Sequence, residues 1–222
     1  ERFFCPEAAY RTDPKKKKGQ KMTKWTLETL REEIGTHMSG SRLSHTLAVE
    51  EETAHLCAVF ALDETIVQRM RYAALLHDIT KEIDTDGQVA LCRTYGIACD
   101  ETDLLAPKVL HAMTGAAVAA DRYASVADDM VCDAIRYHTT GRAAMTLTEK
   151  ILYLADYIEP TRQYSDCRAL RRKFYDALPD ASADRITHLN DILLASFDMT
   201  ITHLLQSGTV ISPRTIAARN GL

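Results

Sequence analysis

Ile66-Val67-Gln68-Arg69-Met70-Arg71-Tyr72-Ala73-Ala74-Leu75-Leu76-His77-Asp78 is the stretch on which the reading of this chain turns. Ile66, Met70, Ala73, Ala74 and Leu76 recur at helical spacing and give one buried side. Asp63, just ahead of them, supplies an N-cap oxygen. The helix therefore runs directly into His77-Asp78, with Leu75, Leu76 and Ile79 as apolar neighbours. A carboxylate and an imidazole in such surroundings are costly unless something compensates the charge. A divalent cation is one compensator, and plain helix capping with hydrogen bonds is another; the dipeptide alone does not choose between them. Neighbouring helical residues point about 100° apart. The two side chains share one metal, or bridge two, only from a favourable place such as a helix end.

Outward from that helix the pattern stays helical. Thr26–Ile34 forms a short amphipathic helix with Gly35 after it, and Ser41–Leu62 carries Leu43, Leu47, Ala54, Ala58 and Ala61 at helical spacing. Asp84 or Thr85 caps a helix ending near Gly96, and Pro107 suits the first turn of one reaching about Tyr123. Further helices are expected over 126–138, 146–158 (stopped by Pro160), 166–176 and 181–206, with a last short one over 213–219. No run alternates as a strand does, and no repeat of 20–50 residues marks a solenoid. The expected fold is all-α, a single helical bundle of about eight to ten helices. Residues 1–21, with Pro6, Pro14 and Lys15–Lys18, are expected to be an N-terminal extension or solvated leader, and residues 22–222 the domain.

Composition removes several function classes. The 222 residues are 46% hydrophobic and 26% charged, with a net charge of −4. That describes a globular chain without the broad basic surface nucleic acid requires. Apolar runs fall far short of the ~20 residues that span a bilayer, and no signal-peptide pattern opens the chain. The expected partner is therefore a small molecule, with neither nucleic acid nor membrane, and a homodimer stays open. The six cysteines show no CxxC spacing and read as reduced packing thiols of a cytoplasmic protein. No Walker or Rossmann glycine loop is present.

Other residues strengthen the metal reading of His77-Asp78. His45 lies in a helix headed by Ser41. His111 has Gly115 and Ala116 nearby, where little bulk blocks a close approach. His138 ends a helix, and Asp156 sits in the apolar string Ile151–Ile158. Together these are four imidazoles and two carboxylates from five helices. Nitrogen and carboxylate ligands without thiolate suit iron, manganese, cobalt, nickel or zinc better than calcium. Six ligands fit one octahedral ion, or two ions sharing a carboxylate, better than a closed tetrahedral zinc. His37, His55, His188 and His203 lack this setting and read as structural or surface residues.

At these positions the chain resembles the HD superfamily, whose H…HD…D order is met by His45, His77-Asp78 and Asp156. It is more closely similar to the bacterial YqeK family. The resemblance is carried by Arg42-x-x-His45-Thr46, His77-Asp78-x-x-Lys81, Asp133–Arg142, Met145-Thr146-Leu147-x-Glu149-Lys150 and Ala155-Asp156-Tyr157-Ile158-Glu159-Pro160-x-Arg162, and covers roughly residues 22–215. It implies a symmetrical bis(5′-nucleosyl)-tetraphosphatase that hydrolyses diadenosine tetraphosphate to two ADP with a metal-activated water, iron first among the candidate metals, as one or two ions. The implied metal ligands are His45, His77, Asp78 and Asp156, with His111 and His138 as ligands of a second metal or of phosphate. His77, Asp78 and Lys81 are the implied catalytic group.

Developing phosphoryl charge needs cations placed in advance. Arg42 lies three residues before His45 and Lys81 three after Asp78, each about one helical turn away. Arg162 follows the Asp156 helix, and Arg142 lies in the loop after His138. Thr139 and the backbone at Gly141 complete the expected phosphate contacts. Arg168, Arg171 and Arg172 read as a solvated helix face, and Tyr137, Tyr153, Tyr157 and Tyr164 as packing residues before base-stacking ones. Two alternatives remain: a broader HD-type nucleotide phosphatase or phosphodiesterase, and a non-catalytic nucleotide-binding regulatory module.

Overall fold

The computed structural model describes residues 24–222; the expected leader and the domain start at Met22 lie outside the described residues. Within them the chain forms α1 (Leu27–Gly35), α2 (Gly40–Val59), α3 (Glu64–Leu76), α4 (Thr85–Tyr95), α5 (Glu101–Leu105), a 3-10 turn (Pro107–Val109), α6 (Leu110–Arg122), α7 (Asp129–Tyr137), α8 (Leu147–Ile158), α9 (Ser165–Asp176), α10 (Ser182–Gln206) and α11 (Pro213–Asn220). The described residues hold no strand, as the sequence pattern required. No helix among them is long and apolar enough to cross a membrane. The described cysteines, Cys57, Cys92, Cys99, Cys132 and Cys167, are free.

Local chemistry sets the helix ends. The side chains of Thr26, Ser39, Asp63, Asp84, Asp128 and Thr146 each accept a hydrogen bond from a backbone N–H in the first turn. Gly96 ends α4 with φ of 64°, a left-handed conformation that glycine adopts without Cβ strain. The expected helix over 107–123 divides in two. Pro107 starts a 3-10 turn, and α6 proper begins only at Leu110.

α3 is the axis of the bundle. Met70, Ala73, Ala74, Leu75 and Leu76 have no exposed surface, and α2, α6, α7 and α8 pack around it. Each buried Leu or Met side chain contributes roughly 1.5–3 kcal/mol, so the end of α3 is held firmly where His77 follows it.

Two further elements differ from the sequence reading. The fully buried face of α2 is not the Leu43, Leu47, Ala54, Ala58, Ala61 stripe, of which Leu43 and Leu47 pack against the core in part. It is His45, Thr46, Val49, Glu50, Glu52, Thr53, Leu56 and Cys57, and Ala58 and Ala61 are exposed. Buried acids occupy that face because basic and phenolic partners meet them. Glu50 takes Arg31 (2.6 Å) and Arg71 (2.9 Å), and Glu52 takes the Tyr175 hydroxyl. The second element, α5, rests on a capping box between Asp100 and Asp103. Asp103 also holds Arg214 of α11 through two bonds, of 2.6 and 3.0 Å.

Candidate metal centre

Five elements deliver six side chains to one place. His45 comes from the second turn of α2, whose N-cap Ser39 is itself bound to Glu82 through its backbone N–H (2.7 Å) and hydroxyl (2.5 Å). His77 is the C-cap of α3 and Asp78 follows it. His111 opens α6, His138 caps the end of α7, and Asp156 lies in the last turn of α8. The pair His77-Asp78 thus stands at a helix end, where both side chains turn to the same side. Gly115 makes the fit with α6 close: a Cβ there would lie 3.4 Å from the His77 carbonyl oxygen.

Asp78 has two faces. Its Oδ2 is 3.5 Å from His77 Nε2 and 3.8 Å from His45 Nε2. Its Oδ1 is 3.2 Å from His111 Nε2 and 3.6 Å from His138 Nε2. Asp156 Oδ1 lies 3.0 Å from His45 Nε2 and 3.9 Å from His77 Nε2. Three sets of ligand atoms result, each within 4.8 Å of one another: His45, His77 and Asp78; His77, His138 and Asp156; Asp78, His111 and His138.

The imidazoles are prepared to donate electrons at Nε2. Nδ1 of His77, His111 and His138 is bonded to the carbonyl oxygens of Ala74, Lys108 and Ile135, each at 2.6 Å. A carbonyl only accepts, so Nδ1 carries a proton and Nε2 is the nitrogen that faces the cluster. His45 uses a carboxylate instead, Glu159 Oε1 at 3.0 Å. Three buried atoms of the cluster, His45 Nε2, His77 Nε2 and Asp78 Oδ1, make no hydrogen bond despite these short separations. Buried polar groups are rarely left so. Unsatisfied acceptors converging on one spot are the donor set a divalent transition ion requires, and the residues fit the group.

Burial sets the charge states. It pushes His111 down to about 4, helped by the neighbouring Lys81, and lowers His138 as well. Burial by itself opposes ionisation of Asp78, but His77, His111 and His138 outweigh it and hold the carboxyl well below its usual range. For Asp156 the same opposition is overcome first by Arg162 and then by His45. His45 is raised: burial works against its protonation, and the carboxylates of Asp156 and Glu159 prevail.

Three of the expected cations reach the cluster. Arg42 Nη1 donates to Asp78 Oδ2 at 2.6 Å, and Arg162 donates from Nη2 to Asp156 Oδ1 at 2.6 Å. Lys81 Nζ stands 3.0 Å from His111 Nε2 and 3.7 Å from Asp78 Oδ1. All three side chains are about one-third exposed, which puts them at the mouth. The Thr139 hydroxyl lies 3.1 Å from Nε2 of both His111 and His138.

Arg142 and Gly141 take other places. Arg142 makes a two-point bond to the buried Glu149 (2.6 and 3.0 Å) and lies over the Tyr137 ring. Gly141, with φ of 64°, is pressed against Ala218, Phe197 and Met145, where a Cβ would come within 2.7 Å of Ala218. The remaining histidines are outside every ligand set: His188 bonds to the Phe174 carbonyl, for example, and His37 to Glu33.

Sequence reasoning missed two supports. Glu159, fully buried, holds His45 from 114 residues away. Arg171 is no solvated cation: it donates to the carbonyls of Ile158, Glu159 and Arg162 and ties down the turn after α8. Behind His111, Thr80 donates to its carbonyl (2.9 Å) and Gln88 links Thr80 to Thr114.

A helical bundle carrying this His and Asp arrangement is the architecture of the HD superfamily, and residues 42–161 match the family model described as HD domain. The chain belongs to the HD domain family. It is 34% identical over 85% of its length to a protein of Halalkalibacterium halodurans named symmetrical bis(5′-nucleosyl)-tetraphosphatase, 92% of which is covered. A protein of the same name from Bacillus subtilis is 30% identical over 85% of this chain and 93% of its own. A crystal structure described as a predicted HD superfamily hydrolase involved in NAD metabolism, from Clostridium acetobutylicum, superimposes with a TM-score of 0.77 at 31% identity, covering 89% of this chain and 97% of that one.

Proposed function

We propose that this protein hydrolyses diadenosine tetraphosphate and related dinucleoside polyphosphates symmetrically, to two ADP, with a transition metal, iron first, at the His and Asp cluster. The observation that carries the reading is the two-faced Asp78, with two imidazoles near each carboxylate oxygen. The names of the relatives support the substrate. His45, His77, Asp78 and Asp156 would hold the first ion, and His111 and His138 would hold either a second ion, together with Asp78 Oδ1, or a phosphate. A divalent ion there lowers the pKa of water and polarises a phosphoryl oxygen.

The chain's own residues supply the rest. Arg42 and Arg162 present guanidinium groups at the mouth and grip phosphate oxygens by paired N–H bonds. Lys81 adds a point charge beside His111, where negative charge gathers on the phosphoryl oxygens as the central bridge breaks. The Thr139 hydroxyl orients a phosphate across His111 and His138. Low burial of the three cations beside high burial of the ligands sorts the site by depth, with metal chemistry inside and polyphosphate binding at the rim.

Chromatography of the products formed from diadenosine tetraphosphate by the anaerobically metal-loaded protein tests this reading. ADP alone is expected. ATP with AMP would assign asymmetric cleavage, and no turnover would leave the broader HD phosphohydrolase class or a binding module.

A further inference from the structure

Four imidazoles face the cluster, and one is held differently from the others. His77, His111 and His138 each use a neutral carbonyl three residues back on their own chain segment. His45 reaches 114 residues along the chain to the carboxylate of Glu159. That carboxylate has no exposed surface. It is fixed by the Thr161 backbone N–H to Oε2 at 2.6 Å and the Thr161 hydroxyl to Oε1 at 2.7 Å. Its own backbone carbonyl accepts from Arg171 and from the Arg162 N–H. A full negative charge has been buried and over-determined behind a single imidazole. Burying a charge this way is costly without a partner that benefits from it.

We infer that Glu159 is the positioning residue of the metal centre: through Nδ1 of His45 it fixes the ring and raises the electron-donating power of Nε2, making His45 the strongest of the four imidazole ligands. A carboxylate behind a metal-bound imidazole acts in this way, and its loss weakens metal affinity by roughly 10–100-fold. The same turn carries Arg162, three residues on, which bonds to Asp156. One small structure after α8 therefore sets a ligand, an orienting carboxylate and a phosphate-binding cation together.

This inference rests on His45 being a metal ligand, and the experiment separates the two. Zinc affinity of the metal-free protein is measured by competition with a chromophoric chelator, for wild type, Glu159→Gln and His45→Ala. Glutamine keeps an oxygen acceptor for Nδ1 but removes the charge. The expected result is a loss of about 10–100-fold in Glu159→Gln, with a larger loss in His45→Ala. Wild-type affinity in Glu159→Gln beside weakened binding in His45→Ala would overturn the role of Glu159 alone. Unchanged affinity in both would overturn the ligand assignment. Should Glu159→Gln fail to fold, the zinc-loaded wild type still decides. Among the Nδ1–H proton resonances of the four cluster imidazoles, the one absent from His45→Ala should lie furthest downfield, because of these four only that proton meets a carboxylate. A position among the carbonyl-bound imidazole protons would refute the inference.

Discussion

Metal-free protein taken from pH 7.5 to pH 4.5 should lose stability, and His111 should account for a definable part of the loss. His111 is 2% exposed, and burial followed by the adjacent Lys81 pushes it from its ordinary 6.5 down to about 4. The unfolded chain therefore takes up this proton near pH 6.5 while the folded chain resists it. Stability is full above pH 6.5 and is lost as pH falls through the folded value. Between pH 7.5 and 4.5 the difference integrates to about 2.5 kcal/mol for this one group. His138 is lowered by burial and acts in the same sense, whereas His45 is raised and acts in the opposite one. Comparison with His111→Gln isolates the contribution. Urea unfolding of chelator-treated wild type and variant, at both pH values, is the assay. The wild type should lose about 2.5 kcal/mol more than the variant. Equal losses, within about 0.5 kcal/mol, would refute the claim that the fold holds His111 neutral for use as a ligand.

Other consequences are as direct. Arg162→Met should lower kcat/KM for diadenosine tetraphosphate by about 10–100-fold, the worth of a charge-assisted phosphate contact; unaltered kinetics would remove Arg162 from the phosphate site. Arg142→Met should instead destabilise the fold by about 1–3 kcal/mol, because it leaves the buried Glu149 with the Thr146 backbone N–H in place of an ion pair. Thermal unfolding reads that loss, and a raised KM at unchanged stability would return Arg142 to the substrate. Gly141→Ala should cost about 2–4 kcal/mol from left-handed strain and the 2.7 Å approach to Ala218, with the activity of the folded fraction retained.

The sequence carried the fold wherever apolar spacing and caps agreed. α3 was legible because Met70, Ala73, Ala74 and Leu76 repeat behind Asp63. α2 was legible as a helix but not in its orientation, since the acids on its buried face are masked by partners, Arg31, Arg71 and Tyr175, that only the tertiary fold supplies. α5 is too short for periodicity to show. The cluster was legible because ionisable residues stood out in apolar strings at His77-Asp78 and Asp156, and the structure brings all six expected ligands together. Glu159 and Arg171 were not, because a supporting residue looks like any surface charge until its partner 114 or 12 positions away is seen. Arg142 lies in the loop whose position suggested phosphate, and there the first turn of α8 offers it Glu149.

The metal centre depends on Asp78, the residue whose two oxygens face two pairs of imidazoles. Anaerobic titration of the chelated protein with iron(II), counting equivalents bound by wild type and by Asp78→Ala, tests it most directly. The wild type should hold one or two equivalents and the variant none. Iron bound by Asp78→Ala with wild-type stoichiometry and affinity would contradict it.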